Sequence, residues 1–337
     1  MARLEEMSPA ELDKYVAKAH KEANFLQSSG WGKVYEQVHE KVYYLGLKEK
    51  NEILGSAVVI LKPARRGRYL EIPGGPLIDW ENKAHVKKFL EGLRELATRE
   101  KCVFVRMRPN IADNERNRMI FARSGLKLSP MHLHAEHTVM LDLTKSKDEL
   151  MAEMRRQTRY EVRRATKLGI TVSYETSEQA FREFYEIQKV TAERQGFITS
   201  SEEFILAQRE AFGDKARIYK AELDGEALAL GLILMQAPEA IYHEAASTDA
   251  GRKYPGAYAL QWQVMNDAKE MGCERYNLFG TAPPNSPNHR YAGVTTFKAG
   301  FGGEAVAYLP AHDLIIKGFA YGVTKAIETA RKRRRHL

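Results

Sequence analysis

Residues 218–235 read IYKAELDGEALALGLILM: an apolar-rich run, the dipeptide Asp224-Gly225, and a second apolar run carrying Gly231. Aspartate followed by glycine between two such runs is a strong hairpin signal, because the tightest two-residue turns need positive φ at both central positions. Residues 45–61, LGLKEKNEILGSAVVIL, repeat the pattern, with Lys50-Asn51 at the turn and Gly55 in the second run. Each hairpin leads on to an amphipathic helix, at residues 85–100 and 257–271. Each helix then enters a further strand through a cysteine, as REKCVFVRM and EMGCERYNLFG. One hairpin–helix–strand order written twice predicts a duplicated α/β unit.

The order within each copy is that of acetyltransferase-like (GNAT) units, so by analogy the fold class is α/β with two tandem GNAT-like domains. The join falls near Leu141-Asp142-Leu143-Thr144. A strand over 137–143 closes the first domain, residues 1–143. A long helix over 144–168 opens the second, residues 144–309, with Thr144, Ser146 and Asp148 as candidate N-caps. A last helix over 318–334 lies in the segment 310–337, which returns to complete the first domain. No heptad pattern is sustained, so no coiled-coil arm is expected.

The chain has 337 residues, 44% of them hydrophobic and 28% charged, which is the balance of a globular protein large enough for two cores. No apolar run approaches the roughly 20 residues that span a bilayer. The opening MARLEEMSPAELDKY reads as a capped amphipathic helix with no signal-peptide core, and a cytoplasmic location is expected. Cys102 and Cys273 stand alone, so neither a disulfide framework nor a thiolate metal site is expected. A net charge of +8 favours polyanionic partners. Two basic clusters contribute: Arg155, Arg156, Arg159, Arg163, Arg164 and Lys167 on the long helix, and the run Arg331-Lys332-Arg333-Arg334-Arg335. The first is a solvated face or a contact for an RNA backbone, which needs clustered charge and no particular sequence. The second solubilises, steers RNA, or makes peripheral contact with an anionic membrane.

Near the end of the chain stands HRYAGVTTFKAGFGG, residues 289–303, with Lys298 between Phe297 and Phe301 and beside Gly300. It is no nucleotide P-loop, which requires GxxxxGK[ST] and ends on its lysine. His132, His134 and His137 in HLHAEHTV suggest a metal only superficially. On a strand His132 and His134 share a face, His137 faces away, and no second ligand cluster accompanies them, so no metal is expected.

Five segments supply a wider pattern: NFLQSSGWGKVYEQ, IPGGPLID, RRQTRYEVRRATKLGI, TAERQGF, and NLFGTAPPNSPNHRYAGVTTFKAGFGGE, the last the most specific. Together, along nearly the whole chain, they resemble the FemABX family of non-ribosomal peptidyltransferases, in its compact type without a helical arm. The resemblance implies two acetyltransferase-like domains with a substrate groove between them. It implies aminoacyl-tRNA as co-substrate, no further cofactor, and transfer of an amino acid to the amine of a peptidoglycan precursor to build a cross-bridge. The acceptor would be UDP-MurNAc-pentapeptide or a lipid-linked form. Lys33 and Arg194 would hold the diphosphate of that precursor, and Lys298 would lie at the reacting ester. One departure stands out: where members often carry an acidic residue, this chain has Arg106-Met107-Arg108.

Aminoacyl transfer is attack of an amine on an already reactive ester, so positioning and oxyanion stabilisation supply most of the acceleration. On that reading the Lys298 ammonium faces the developing oxyanion, Phe297 and Phe301 exclude water and anchor the loop, and Gly300 and its neighbours admit the RNA terminus. Arg155, Arg156, Arg159 and Arg163 are candidate tRNA contacts. A surface lysine at a strand end would account for the same residues without chemistry. Two other functions compete: acyl-CoA-dependent N-acylation, and a tRNA-dependent ligase acting on a peptide outside the cell wall. The first needs a pyrophosphate loop before a helix, and the candidate Arg252-Lys253-Tyr254-Pro255-Gly256-Ala257 places proline, which has no N–H, where the first glycine belongs. A non-catalytic RNA-binding protein is the third alternative, and a monomer is the default state.

Overall fold

A computed structural model describes residues 2–19, 23–64 and 67–334. The chain divides into two compact units, one running to Glu136 and resuming at Ala307, the other spanning His137–Val306. Unit 1 contains β1 (Arg3–Glu6), α1 (Pro9–Ala19), α2 (Ser29–Gln37), β2 (Lys41–Glu49), β3 (Glu52–Lys62), β4 (Tyr69–Gly74), β5 (Leu77–Ile78), α3 (Lys83–Arg99), β6 (Phe104–Pro109), α4 (Glu115–Arg123) and β7 (Lys127–Leu128). Unit 2 contains β8 (His137–Asp142), α5 (Lys147–Glu153), α6 (Arg156–Lys167), β9 (Thr171–Glu175), α7 (Glu178–Gln195), α8 (Glu202–Phe212), β10 (Ala216–Leu223), β11 (Glu226–Gln236), β12 (Glu239–Ser247), α9 (Gly256–Glu270), β13 (Arg275–Asn277), α10 (Ala292–Ala299) and β14 (Glu304–Ala307). The chain then returns to unit 1 with β15 (His312–Ile315) and α11 (Gly318–Arg334).

Among the described residues the strands form two mixed sheets, β1-β2-β3-β4-β6-β15-β7 with β5 on β3, and β14-β8-β13-β12-β11-β10-β9. Both predicted hairpins form. Asp224 and Gly225 take φ of 51° and 81°, as a turn with two left-handed residues demands, and Lys50 takes 54°. The likeness extends below the level of pattern. In each hairpin the register slips by one residue just after the turn, leaving Leu54 in one and Leu228 in the other as the extra residue. Each unit then pairs two parallel strands, β4 with β6 and β12 with β13, and the helix before the second of them covers the sheet. Along α3, Val86, Phe89, Leu90, Leu93 and Leu96 are buried at helical spacing, and along α9 Leu260, Val264, Met265 and Ala268 are.

Four expectations change. The strand assigned to the end of the first domain, β8, pairs with β13 in the second sheet, so the boundary moves from residue 143 to between Glu136 and His137, and the return from 310 to Ala307. The single helix over 144–168 is two helices. Met154 (ψ 147°) and Arg155 (ψ 150°) are extended, because Met154 is drawn into the unit 2 core and the Arg155 N–H donates to the carbonyl of Gly300. Residues 131–136 are bends, not strand, so the alternation argued for His132 and His134 does not apply. His132 instead lies 2.7 Å from the Glu136 carboxylate, and no metal-binding cluster occurs among the described residues. A strand, β1, precedes the first helix. Both cysteines are free and buried, and burial pushes each thiol up to about 11.

Candidate active site

The chemistry-bearing groups of unit 2 gather where the parallel pairing of β12 with β13 ends. That pairing stops at Ile241 and Asn277. Just beyond it β12 bulges, with Leu232 opposite Glu244 and Ile233 opposite Tyr242, so that His243 is the extra residue. On the other strand the chain turns sharply at Phe279 (φ 51°) and Gly280 (φ 36°). Asn277 fixes this turn by accepting the Phe279 N–H at 2.9 Å, and is itself held by Thr138 at 2.6 Å. The turn presents the carbonyls of Phe279 and Gly280 to one side chain, Lys298.

Lys298 is not in a loop. It lies in the last turn of α10 and is 93% removed from solvent, its Nζ donating to the Phe279 carbonyl and, at 2.9 Å, to that of Gly280. The Tyr242 ring centroid is 5.6 Å away. Burial drives the Lys298 pKa down to about 7. The two carbonyls oppose that displacement, since they bind the charged form. An ammonium has three N–H donors, and two are spent on the turn. One direction remains. As the ammonium, Lys298 offers a single N–H there; as the neutral amine it offers a lone pair. Nearby, burial holds His243 below the ordinary histidine range.

The glycine and the phenylalanines around Lys298 are packed in place. A Cβ on Gly300 would lie 2.4 Å from Thr158 Oγ1 and 2.7 Å from Arg155 Nη2, so the absence of a side chain at Gly300 lets α6 approach. Phe297 and Phe301 pack edge to face, 5.2 Å between centroids, and both meet Tyr258 on α9. Of the candidate tRNA contacts, Arg155 donates to the Thr296 carbonyl at 2.6 Å, and Arg159 to those of Ala152 and Met154. Arg155 ties the start of α6 to α10, and Arg159 closes the break between α5 and α6. Arg156 and Arg163 are exposed.

Lys33 is an exposed residue of α2 in unit 1. Ser28 caps that helix and Trp31, a core residue 1% exposed, anchors it, with rings of Phe25 and Tyr35 against it at 4.9 and 5.5 Å. Arg194 ends α7 in unit 2. Its guanidinium bonds Asp249 at 2.8 Å, the Ser247 carbonyl at 2.9 Å and Ser247 Oγ at 2.8 Å. Asp249 is itself 85% exposed, so an incoming anion can compete for that pair. The Arg106-Met107-Arg108 departure also resolves. Arg106 is clamped by Asp313 at 2.8 and 2.9 Å and by Glu328 at 2.8 Å. Burial would lower its pKa, but these carboxylates hold it above the usual arginine range. The pyrophosphate-loop candidate is likewise explained by packing: a Cβ on Gly256 would meet the Leu228 side chain at 2.5 Å, where α9 starts against β11.

The two sheets, each with a hairpin, a covering helix and one parallel pair, define a protein of two acetyltransferase-like units. Solved structures agree at the level of fold. A crystal structure of FemX superposes with a TM-score of 0.85, covering 96% of this chain and 100% of its own at 18% identity. A tandem GNAT protein from the clavulanic acid biosynthesis pathway gives 0.58 at 12% identity, covering 94% and 99%. The FemAB family model matches residues 7–228 and 224–329, and the chain belongs to that family. Aminoacyltransferase FemA of Staphylococcus aureus (strain N315) is 20% identical over 85% of this chain and 89% of its own length. The Lipid II:glycine glycyltransferase of Staphylococcus aureus is 26% identical over 56% of this chain and 47% of its own.

Proposed function

We propose that this protein moves an amino acid from aminoacyl-tRNA to an amine of a peptidoglycan precursor, either UDP-MurNAc-pentapeptide or a lipid-linked form, and so builds a cross-bridge. Family membership supports the reaction class. The observation that carries the site is Lys298: a buried amine near neutrality, with one donor direction left over, at the open end of a parallel strand pair.

The acceptor amine attacks the ester carbonyl carbon and negative charge collects on the carbonyl oxygen. The spare N–H of the Lys298 ammonium meets that oxygen in a water-poor setting, where a fixed donor is most effective. Collapse re-forms the carbonyl and breaks the bond to the tRNA hydroxyl oxygen, which receives the proton the amine gives up. Lys33 and Arg194 would neutralise the precursor's diphosphate, Arg194 by exchanging Asp249 for phosphate. Arg156, Arg163 and Lys167 are exposed basic residues of α6 available for an RNA backbone.

Single-turnover transfer from charged tRNA to UDP-MurNAc-pentapeptide tests this. Lys298→Met should slow the chemical step by about a hundred- to a thousand-fold, the loss typical of one oxyanion donor, with precursor binding nearly intact. The pH profile separates two roles for the amine. If the ammonium acts, the rate needs a charged Lys298 and a neutral acceptor amine. It then rises to about pH 7 and stays level up to the acceptor's own pKa, about 10 for a lysine side chain. If the neutral amine acts as base during attack by an already neutral acceptor, the rate keeps climbing past pH 7. Wild-type rates in Lys298→Met, or transfer from acyl-CoA in place of charged tRNA, would sink the assignment.

A further inference from the structure

The helix α11 is apolar on the side where a surface helix is usually charged. Its inner face is accounted for within unit 1: Tyr321 is buried against Phe104 and donates to Asp313 at 3.0 Å, Thr324 is buried, and Glu328 pairs with Arg106. The opposite face carries Phe319, Val323, Ala326 and Ala330, at the i, i+4, i+7 and i+11 spacing of one helical stripe. Phe319 is 91% exposed, the most exposed large apolar side chain among the described residues, and Val323 is 48% exposed. Ala326 and Ala330 are exposed as well.

Charge decides what covers this stripe. The helix holds five basic residues, Lys325, Arg331, Lys332, Arg333 and Arg334, against one acidic residue, Glu328, which is turned inward onto Arg106. The sequence continues with Arg335, outside the described residues. An apolar stripe that runs into a basic turn and meets no outward carboxylate suits a surface that is apolar below and anionic above. A bare RNA backbone would use the charge and leave Phe319 and Val323 in water. A second copy packed parallel would bring the same basic turn near its own, and one packed antiparallel would set that turn against residues 318–322, which carry no carboxylate. No helix among the described residues is long and apolar enough to cross a membrane, so the contact is peripheral.

We propose that the outward face of α11 docks on an anionic lipid bilayer, with Phe319 and Val323 entering the headgroup boundary and Arg331 and Lys332 pairing with lipid phosphates. The proposal stands apart from the transferase reading, and its test uses no substrate. The full chain is mixed with vesicles of phosphatidylcholine alone, or of phosphatidylcholine with phosphatidylglycerol, and the bound fraction is measured by sedimentation over a range of salt. Binding is expected only to the anionic vesicles, weakening with salt. The double variant Phe319→Glu, Val323→Glu should reduce it at least about tenfold, because it sets two carboxylates against an anionic interface. The double variant Arg331→Gln, Lys332→Gln should reduce it by about tenfold or more, at roughly fivefold for each basic side chain lost. Circular dichroism checks that each variant is folded. Because Phe319 is almost wholly exposed, its replacement should leave the fold intact.

Three results would overturn the proposal. One is equal binding to neutral and anionic vesicles, or none to either. Another is anionic binding that the glutamate variant leaves unchanged. The third is self-association, or binding of uncharged tRNA, that the glutamate variant abolishes while the wild type ignores vesicles.

Discussion

Lys298→Met has a consequence for stability that can be worked out before any substrate is added. In an unfolded chain the amine titrates near 10.5, and in the folded protein burial brings it to about 7. Between those values the unfolded state holds one more proton, so unfolding takes up a proton and stability rises with pH. The steepest slope is about 1.4 kcal/mol per pH unit, and the whole gain comes to about 5 kcal/mol at most. From about pH 6 to pH 9 the expected gain is roughly 3 kcal/mol, less whatever the two turn carbonyls return to the ammonium. Methionine cannot titrate, so the difference in unfolding free energy between wild type and variant isolates this one group. Burial pushes Tyr242 up and His243 down, and both groups are present in wild type and variant alike, so their own titration cancels in the difference. Urea unfolding read by thiol labelling provides the assay. Cys273 reports on unit 2, and Cys102 serves as an internal control in unit 1. The wild-type advantage at Cys273 should grow with pH and that at Cys102 should not. A difference that stays flat across the window would mean that Lys298 keeps an ordinary pKa, and the argument from its desolvation would fail.

Two further outcomes can be measured, the first resting on the proposed function and the second on packing. Lys33→Ala and Arg194→Ala should each weaken binding of UDP-MurNAc-pentapeptide by about 1.5–3 kcal/mol if each loses a charged hydrogen bond, while affinity for charged tRNA changes much less; calorimetry giving wild-type precursor affinity for both refutes the pairing. Gly300→Ala should destabilise unit 2 by about 1–3 kcal/mol, because a Cβ there meets the buried Thr158 hydroxyl at 2.4 Å, and a variant with unchanged unfolding in the Cys273 assay would contradict that contact.

The repeated architecture was legible because hairpins, covering helices and turn dipeptides are local. Asp224-Gly225 announces its turn without help from the rest of the chain. The bounds of the units were less legible, because β8 joins the second sheet through β13, far along in sequence, and nothing within residues 137–142 says so. The break at Met154 and Arg155 has the same origin: both have ordinary helix-forming side chains, and only the Gly300 carbonyl and the unit 2 core draw them out of the helix. Lys298 could be picked out of the sequence, but its burial could not. Lysine is seldom buried, and the two carbonyls that receive it come from a turn 18 and 19 residues earlier. Asn277, two residues before Phe279, was the available signal for that turn, since an asparagine side chain readily bonds a backbone N–H two positions on.

The same duplicated frame carries different chemistry in its two copies, and the difference bears on where a proton acceptor could come from. In unit 1 the parallel strand β6 carries Arg106, and the nearest carboxylates, Asp313 and Glu328, are both bound to it. Asp313 is fully buried and also accepts the Tyr321 hydroxyl. Freeing Asp313 would break the bidentate pair and leave the buried guanidinium with Glu328 alone, at a cost typical of breaking a buried ion pair, several kcal/mol. Those acids therefore serve the packing of β15 and α11 and are poor candidates for catalysis. In unit 2 the corresponding strand, β13, runs into a turn whose carbonyls leave an amine only partly satisfied. An ion pair closed on itself lowers its own energy and offers nothing to a substrate. A desolvated lysine with one donor direction unused gains most when negative charge develops in front of it, and that condition is met in the transition state of acyl transfer.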